Sequence, residues 1–590
     1  MSLPPLSPAS SPAAVVRSLG GKRWRWRGGN MDLGVAPDRI DGRGDDLVTQ
    51  LLLARGVSPD EVERHRNPSL RAFLPDPSHL RDMDAAAERL AQAVLSGEQV
   101  TIYGDYDVDG ATSAALLIRL LRSLGLEAGY YIPDRLLEGY GPSGEALVRL
   151  ARDGSSLIVT VDCGAMAHEA LAMARAEGVD VIVVDHHKCS AELPLAAALV
   201  NPNRLDESEV GAAHGHLAAV GVAFLLAVAT VRTLRAQGYF ADRAEPDLFA
   251  LLDLVALGTV ADVAALHGLN RALVAQGLKV LGRREGIGMA ALIDASRLNR
   301  APTCSDLGFA LGPRINAGGR VGESTLGVRL LTTEDPDEAR TIAAQLSALN
   351  EERRAIEQAV QEAAEGQLGR QHNRSVLVLA GSGWHPGVIG IVASRLIEEH
   401  GRPVLLIALD GAEGKGSGRS ISAFDLHAAL AECRDLLVRF GGHRAAAGVT
   451  VARDKIPELA RRFNEIAIAQ LTVEDLVAEL RVDLELPISS ATLELEALLR
   501  HFEPFGPANP TPVIVSRGVR LAAPPRVLGD GHLKLRLQTD AGELEAIGWG
   551  MAPLASELDV SAPIDIAYRL ERDDWNGVPR LQAKLAAVQH

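Results

Sequence analysis

Three short apolar runs, each ending in an acid, constrain this chain more than any other feature of its sequence. Gln99-Val100-Thr101-Ile102 leads into Tyr103-Gly104-Asp105-Tyr106-Asp107-Val108-Asp109-Gly110. Leu157-Ile158-Val159-Thr160-Val161 ends in Asp162-Cys163-Gly164, and Val181-Ile182-Val183-Val184 ends in Asp185-His186-His187. Each run has the length of a buried strand, and Ala111 to Leu124 has the pattern of the helix following the first. Open α/β sheets bind ligands beyond the carboxyl ends of their strands. A later apolar run, Ala256-Leu257-Gly258-Thr259-Val260-Ala261, leads to Asp262, and in a parallel sheet such ends share one edge.

Alternate residues of an extended segment point the same way, so Asp105, Asp107 and Asp109 are expected to converge. Like charges held together need a cation among them, and a divalent metal is the simplest one. A lone Asp-x-Asp is as readily a polar turn capping a helix; the repetition carries the metal reading. The ligand set expected at the shared edge is Asp107, Asp109, Asp162, His186 and Asp262. Mixed carboxylate and imidazole donors suit Mn²⁺ or Mg²⁺ better than a thiolate-rich zinc site. Cys163 and Cys189 fall nearby without Cys-x-x-Cys spacing and read as ordinary thiols. With Cys304 and Cys433 they form no disulfide framework, which fits a reducing cytoplasm.

The chain has 590 residues and a net charge of −16. That length predicts about three or four domains. The charge argues against broad nucleic-acid binding through global electrostatics and leaves room for a local basic groove. Residues 1–27 are expected to be a disordered basic and aromatic N-terminus, since the first twenty are rich in Pro, Ser and Ala and lack a signal-peptide pattern. Within it, Lys22-Arg23-Trp24-Arg25-Trp26-Arg27 could grip a nucleic-acid strand, or pack its indoles on the core as an edge strand; the second reading is favoured. Leu217 to Val231 is too short to span a bilayer and is expected to be a buried helix of a soluble, non-membrane protein.

Further along, Asp335-Pro336 has the form of a helix start, and 335–368 is expected to be one long amphipathic helix. A second α/β unit follows over 369–475. Its glycines cluster in Gly381-Ser382-Gly383, Gly414-Lys415-Gly416-Ser417-Gly418-Arg419-Ser420 and Gly441-Gly442-His443-Arg444, expected to be loops that let phosphate approach the backbone. Arg419, His443 and Arg444 add charged donors. After residue 480 the alternation predicts about five short strands in a small barrel, with turns at Gly529-Asp530-Gly531 and Asn576-Gly577. Lys534, Arg536 and Trp575 are its candidate strand contacts.

This order of motifs resembles the DHH phosphoesterase superfamily, and within it the bacterial single-strand-specific DNA exonucleases. The resemblance runs from about Phe73 onward. Its carrying residues also include Asn201-Pro202-Asn203, Gly312-Pro313-Arg314-Ile315-Asn316-Ala317-Gly318-Gly319-Arg320, Trp384-His385-Pro386-Gly387-Val388-Ile389-Gly390 and Pro504-Phe505-Gly506-Pro507-Ala508-Asn509-Pro510. It implies an N-terminal extension (28–79), a parallel-sheet DHH catalytic domain (80–334), a connecting helix, an α/β DHH-associated domain and a C-terminal β-barrel of OB-fold type (480–590). The activity implied is metal-dependent hydrolysis of single-stranded DNA from the 5′ end to mononucleotides, in recombinational and mismatch repair beside a RecQ-type helicase and a single-strand-binding protein. The absence of a strong heptad seam favours a monomer.

By motif position, Asp162 would bridge two metals, Asp107 would hold one, and Asp109, His186 and Asp262 the other. His187 would face the phosphate or leaving group, and Asp105 and Asp185 would orient the ligands. Tyr103 stands where relatives often carry a ligand four residues before Asp-x-Asp, so the first site is expected to be less saturated. Arg314, Asn316 and Arg320 would clamp the strand, unless the two arginines merely pair with acids. Arg419, Ser420, Gly441, Gly442 and His443 would hold a terminal phosphate. Two alternatives stay open: a phosphodiesterase for short oligonucleotides or cyclic dinucleotides, which usually lacks the flanking domains, and an inactive replication scaffold, which would have lost the acids.

Overall fold

The computed structural model describes residues 18–27, 44–135, 137–369, 374–529, 531–540, 542–573 and 579–590. Its first element corrects the expected disorder of residues 18–27: Arg23–Trp26 form strand β1. The reason is local chemistry. Trp24 and Trp26 pack against Leu480, Val482, Val513 and Val515, while Arg23 and Arg25 pair with Glu479. The indoles are therefore core contacts, as the edge-strand reading expects. Residues 1–17 lie outside the described residues.

The catalytic sheet consists of β2 (Val100–Gly104), β3 (Gly129–Tyr131), β4 (Leu157–Val161), β5 (Asp180–Val184) and β6 (Ala198–Val200). All pairings are parallel, in the order β3-β2-β4-β5-β6. β2 and β4 are buried along their whole length. Helices cover both faces, which is why these strands read as continuous apolar runs. One face packs on Met83–Ser96, α1 (Val108–Ser123), α2 (Ala219–Ala236) and α3 (Leu252–Ala261). The opposite face packs on Gly144–Arg152 and His168–Ala176 and takes the Tyr103 ring.

Among the described residues α2 is the one helix long and apolar enough to cross a membrane, and 72% of it is buried inside the protein. Its burial makes it a core helix, the role expected of Leu217 to Val231. The run leading to Asp262 differs from the strand-like delivery of the other acids. It is the helix α3, buried at every residue from Leu252 to Val260, with Asp262 as its C-terminal cap. A short run that is apolar all round has no periodicity to separate buried strand from buried helix.

The Gly-rich run from Gly312 is also helical, α4 (Gly312–Val321), entered through a single π-turn at Leu307–Leu311. Helix α5 (Pro336–Leu368) follows, with the Asp335 carboxylate capping the amides of Asp337 and Glu338. It runs from the catalytic domain to the second one. There β7 (Leu377–Ser382) pairs in parallel with β8 (Val404–Asp410) across helix α6 (Ile389–His400). β9 (Glu413–Arg419), β10 (Leu437–His443) and β11 (Ala446–Ala452) complete an antiparallel extension in the order β10-β11-β9-β8-β7. Two of the three glycine clusters are thus strands rather than loops. Gly416 lies over Val449 and Ile407, and Gly418 over Leu426, so these glycines make room for neighbouring side chains.

β12 (Glu479–Val482) pairs in parallel with β1. The C-terminal sheet holds seven strands where about five were expected. They are β13 (Leu484–Glu485), β14 (Ile514–Val519), β15 (Arg526–Leu528), β16 (His532–Thr539), β17 (Gly542–Gly548), β18 (Ile564–Asp573) and β19 (Arg580–Gln589), in the order β13-β14-β18-β19-β17-β16-β15. Lys534 and Arg536, expected to contact a strand, are paired with Glu545 and Glu543 on the adjacent β17. Just after β17, Trp549 is exposed, its ring centroid 4.4 Å from that of His532. Trp575, Asn576-Gly577 and Asp530 lie outside the described residues.

Candidate metal centre and phosphate-binding cleft

The carboxyl ends of β2, β4 and β5 do meet at one edge. Asp105 follows β2, Asp162 follows β4 and Asp185 follows β5, each still pairing its amide with the neighbouring strand. Asp107 is the N-cap of α1 and accepts from the amides of Asp109 and Gly110. Asp109 sits in the first helical turn rather than on an extended segment, and its two oxygens accept from Ala219 and Val220 at the start of α2. The aspartates converge because a strand turns into a helix here. Gly110 allows that turn: a Cβ there would lie 2.4 Å from the Asp105 carbonyl oxygen.

Three groups of potential ligand atoms result, each within 4.8 Å of one another: Asp105, Asp107 and Asp162; Asp109, His186 and Asp262; and Asp162, His186 and His187. Nε2 of His186 lies 3.3 Å from Asp162 and 3.9 Å from Asp109, and its Nδ1 lies 3.9 Å from Asp262. Asp162 and His186 each belong to two of these groups. The Asp162 φ of 61° is in the left-handed region, an uncommon state for a non-glycine residue that marks a strained position. Asp105, expected in a supporting role, stands with Asp107 and Asp162 in one of these groups. Tyr103 does not join the cluster; its ring packs in the core beside Cys163, and its hydroxyl donates to the Gly141 carbonyl.

The donors fit a divalent cation. Asp105 Oδ1, Asp162 Oδ1 and His186 Nε2 are buried without hydrogen-bond partners. Burial, followed by the charges of neighbouring carboxylates, raises the pKa values of Asp105, Asp109 and Asp162 well above the ordinary range, and that of Asp262 to about 7. So many buried acids ionise together only around positive charge. The two histidines have opposite electrostatics. Burial and then His187 depress His186 to about 4, leaving a neutral imidazole suited to ligation. Burial opposes charge on His187 too, but the Asp185 carboxylate, 2.8 Å from Nδ1, overcomes it and lifts the pKa to about 9. Asp185 is itself held near 2: burial works against its charge, yet His187 and the amide of Ala165 outweigh it.

Across the cleft, Arg419 donates to Ser417 Oγ and to the Gly418 carbonyl. His443, at the end of β10, is within electrostatic reach of Arg419, Lys188 and His187, so the second domain faces the metal cluster. Gly441, on the same edge strand, has open space beside it, and Gly442 takes a positive φ against Ala447. Ser420 differs from its expected role: its hydroxyl donates to the Phe424 carbonyl and its amide to Ala445. On α4, Arg314 donates to Ser347 and Ala310, Asn316 is half-buried, and Arg320 donates to Gly387 in the second domain. Neither arginine pairs with an acid among the described residues.

Two cleft residues escaped the sequence reading. Arg135 lies over the Tyr106 ring at 4.7 Å, and its charge reaches Asp105, Arg320 and Arg419. The Tyr140 hydroxyl contacts His187 Nδ1 at 3.0 Å and donates to the Asp162 carbonyl. Both sit on a loop after β3 where no periodicity operates; the only signal was Gly139 and Gly141 on either side of Tyr140.

Comparison with known proteins gives this geometry a family. Residues 99–259 match the DHH family N-terminal domain, residues 373–469 the DHHA1 domain, and residues 482–587 the RecJ OB domain. The single-stranded-DNA-specific exonuclease RecJ of Dickeya dadantii is 40% identical over 91% of this chain and 94% of its own length. The chain belongs to the RecJ family. The Escherichia coli RecJ is 38% identical over the same shares of the two chains. Among solved structures, the Mn²⁺ complex of Thermus thermophilus RecJ matches with a TM-score of 0.78 and 32% identity, over 93% of this chain and 76% of that one. The Mg²⁺ complex of the same RecJ gives a TM-score of 0.72. The expected order of DHH domain, DHHA1 domain and OB domain is therefore the order found.

Proposed function

We propose that this chain is a metal-dependent exonuclease that hydrolyses single-stranded DNA from the 5′ end to mononucleotides, in recombinational and mismatch repair. The observation that carries the reading is the cluster of Asp105, Asp107, Asp109, Asp162, His186 and Asp262, complete in a chain whose relatives are named single-stranded-DNA-specific exonucleases. Retention of every acid and both histidines disfavours an inactive scaffold, and the OB domain favours long strands over short oligonucleotides.

In this reading Asp105 and Asp107 would hold one Mn²⁺ or Mg²⁺ and Asp109, His186 and Asp262 the other, with Asp162 within reach of Asp107 and His186. The bound ions supply charge neutralisation at the phosphoryl group and activation of water. Asp185 keeps His187 protonated and oriented, so its imidazolium faces the anionic phosphate or gives a proton to the leaving oxygen. Arg320, Arg314 and Asn316 steer the strand from α4, and Arg419, Gly441, Gly442 and His443 hold its terminal phosphate, which sets the 5′ polarity. The enzyme acts in the cytoplasm as a monomer, beside a RecQ-type helicase and a single-strand-binding protein.

The test is single-stranded DNA labelled at either end, incubated with Mn²⁺ or EDTA, beside an Asp162→Ala variant. Metal-dependent release of mononucleotides from the 5′ end, lost in the variant, is the expected result. Binding without cleavage under any metal would refute it.

A further inference from the structure

The two halves of the cleft are held together by three helices that touch at three corners. Where α4 meets α5, Arg314 donates to Ser347. Where α4 meets the loop before α6, Arg320 donates to Gly387, and a Cβ on Gly387 would lie 2.8 Å from the Arg320 carbonyl oxygen. That close approach is the use of the Trp384-His385-Pro386-Gly387 motif. The third corner joins α5 to α6 through Glu357. Its side chain is 0% exposed, 2.8 Å from Arg395 on α6 and 3.1 Å from Arg353 one turn back on α5.

Burying a carboxylate costs several kcal/mol unless its partners are well placed, and apolar residues fill such positions as cheaply. Stability alone does not account for an acid here. Around this junction Asn350 Oδ1, Arg353 Nε and Arg320 Nε are buried without hydrogen-bond partners, while Glu357 Oε1 is held by its ion pair with Arg353. The network is tightly packed and incompletely bonded, the condition in which one charge governs the placement of several others. Just beyond the Gly387 corner, α6 approaches the terminal-phosphate residues: a Cβ on Gly390 would lie 3.1 Å from the Arg419 guanidinium.

We propose that Glu357 is a positioning residue that sets the spacing between the phosphate-holding residues of the second domain and the metal cluster of the first, and so fixes the length of the released product. This rests on the proposed exonuclease reading, in which a strand is anchored at Arg419 and His443 and cut at the aspartates. A separation of one nucleotide between the two sites would make each cut release a mononucleotide. If α6 can shift on α5, the anchored end reaches the cluster in more than one register.

The test compares wild type, Glu357→Gln and Arg395→Gln on 5′-phosphorylated single-stranded DNA with Mn²⁺, resolving labelled products by length. Wild type gives mononucleotide alone; absence of any digestion by wild type would count against the exonuclease reading rather than this one. Glu357→Gln is expected to release mono- and dinucleotides together, with KM raised roughly tenfold and bound Mn²⁺ unchanged. Arg395→Gln, altering a half-exposed side chain, serves if the first variant does not fold, and is expected to give the same mixture. Combined with Arg320→Gln, the fold-losses in kcat/KM should fall short of their product, since both act on one contact system. Mononucleotide as the sole product of a folded variant with wild-type KM would overturn the proposal.

Discussion

At the scale of single residues, the cleft separates its two adjacent histidines by environment. His186 is largely covered and lies among carboxylate oxygens, while His187 is half-exposed and fastened to Asp185. Replacing His187 with alanine should therefore lower kcat by about 10²–10⁴, the usual worth of a positioned proton donor, with Mn²⁺ content unchanged. His186→Ala should lose bound metal first, which equilibrium dialysis separates from a rate effect. Most of these residues were legible from sequence because each stands at the end of an apolar strand. Asp105 was seen but placed in a supporting role, since only the fold shows its oxygen bare and turned toward Asp107 and Asp162. Arg135 and Tyr140 were missed because a loop residue has no periodic partner to announce it.

At the scale of elements, the β2-to-α1 turn does most to build the site, and Gly110 is its tightest point. A methyl group there meets the Asp105 backbone at 2.4–2.7 Å, and backbone has nowhere to retreat. Gly110→Ala should cost about 1–3 kcal/mol of stability through overpacking. Thermal melting would register that loss, and weakened Mn²⁺ binding would show that α1 has been pushed away from β2. The strands of the catalytic sheet and the capped helix α5 were readable because length, burial and capping agree there. The helical state of the apolar run 256–261 and the strand state of residues 414–419, expected as loop, have one source. Uniformly apolar or Gly-rich segments lack the alternation that distinguishes one state from another, and tertiary packing decides.

At the scale of the whole molecule, Arg271 ties three distant segments together. Buried on the helix Gly268–Arg283, it donates to the carbonyls of His65, His501 and Glu503. Burial, then Arg271, Arg55 and His267, holds the adjoining His65 near pKa 4. His65 is thus neutral in the folded protein and takes up a proton near 6.5 when unfolded. Its contribution to stability is complete above pH 6.5 and lost as pH falls toward 4, at up to about 1.4 kcal/mol per pH unit. Melting temperatures between pH 7 and 4.5 should decline on acidification, and His65→Gln should flatten part of that decline.

The pairing of β1 with β12 also has a consequence in time. Arg23 meets Glu479 across 456 residues, and the Leu19 amide meets the carbonyl of Val588 in the last strand. A ribosome adding about 5–20 residues per second makes the partner strand roughly 20–90 s after β1 has emerged. For that interval two tryptophans and an unpaired strand edge wait without their cover. The arginines that alternate with them give the waiting segment a charge that discourages it from joining another nascent copy. The same residues that later close the finished protein on itself thus act first as its guard during synthesis.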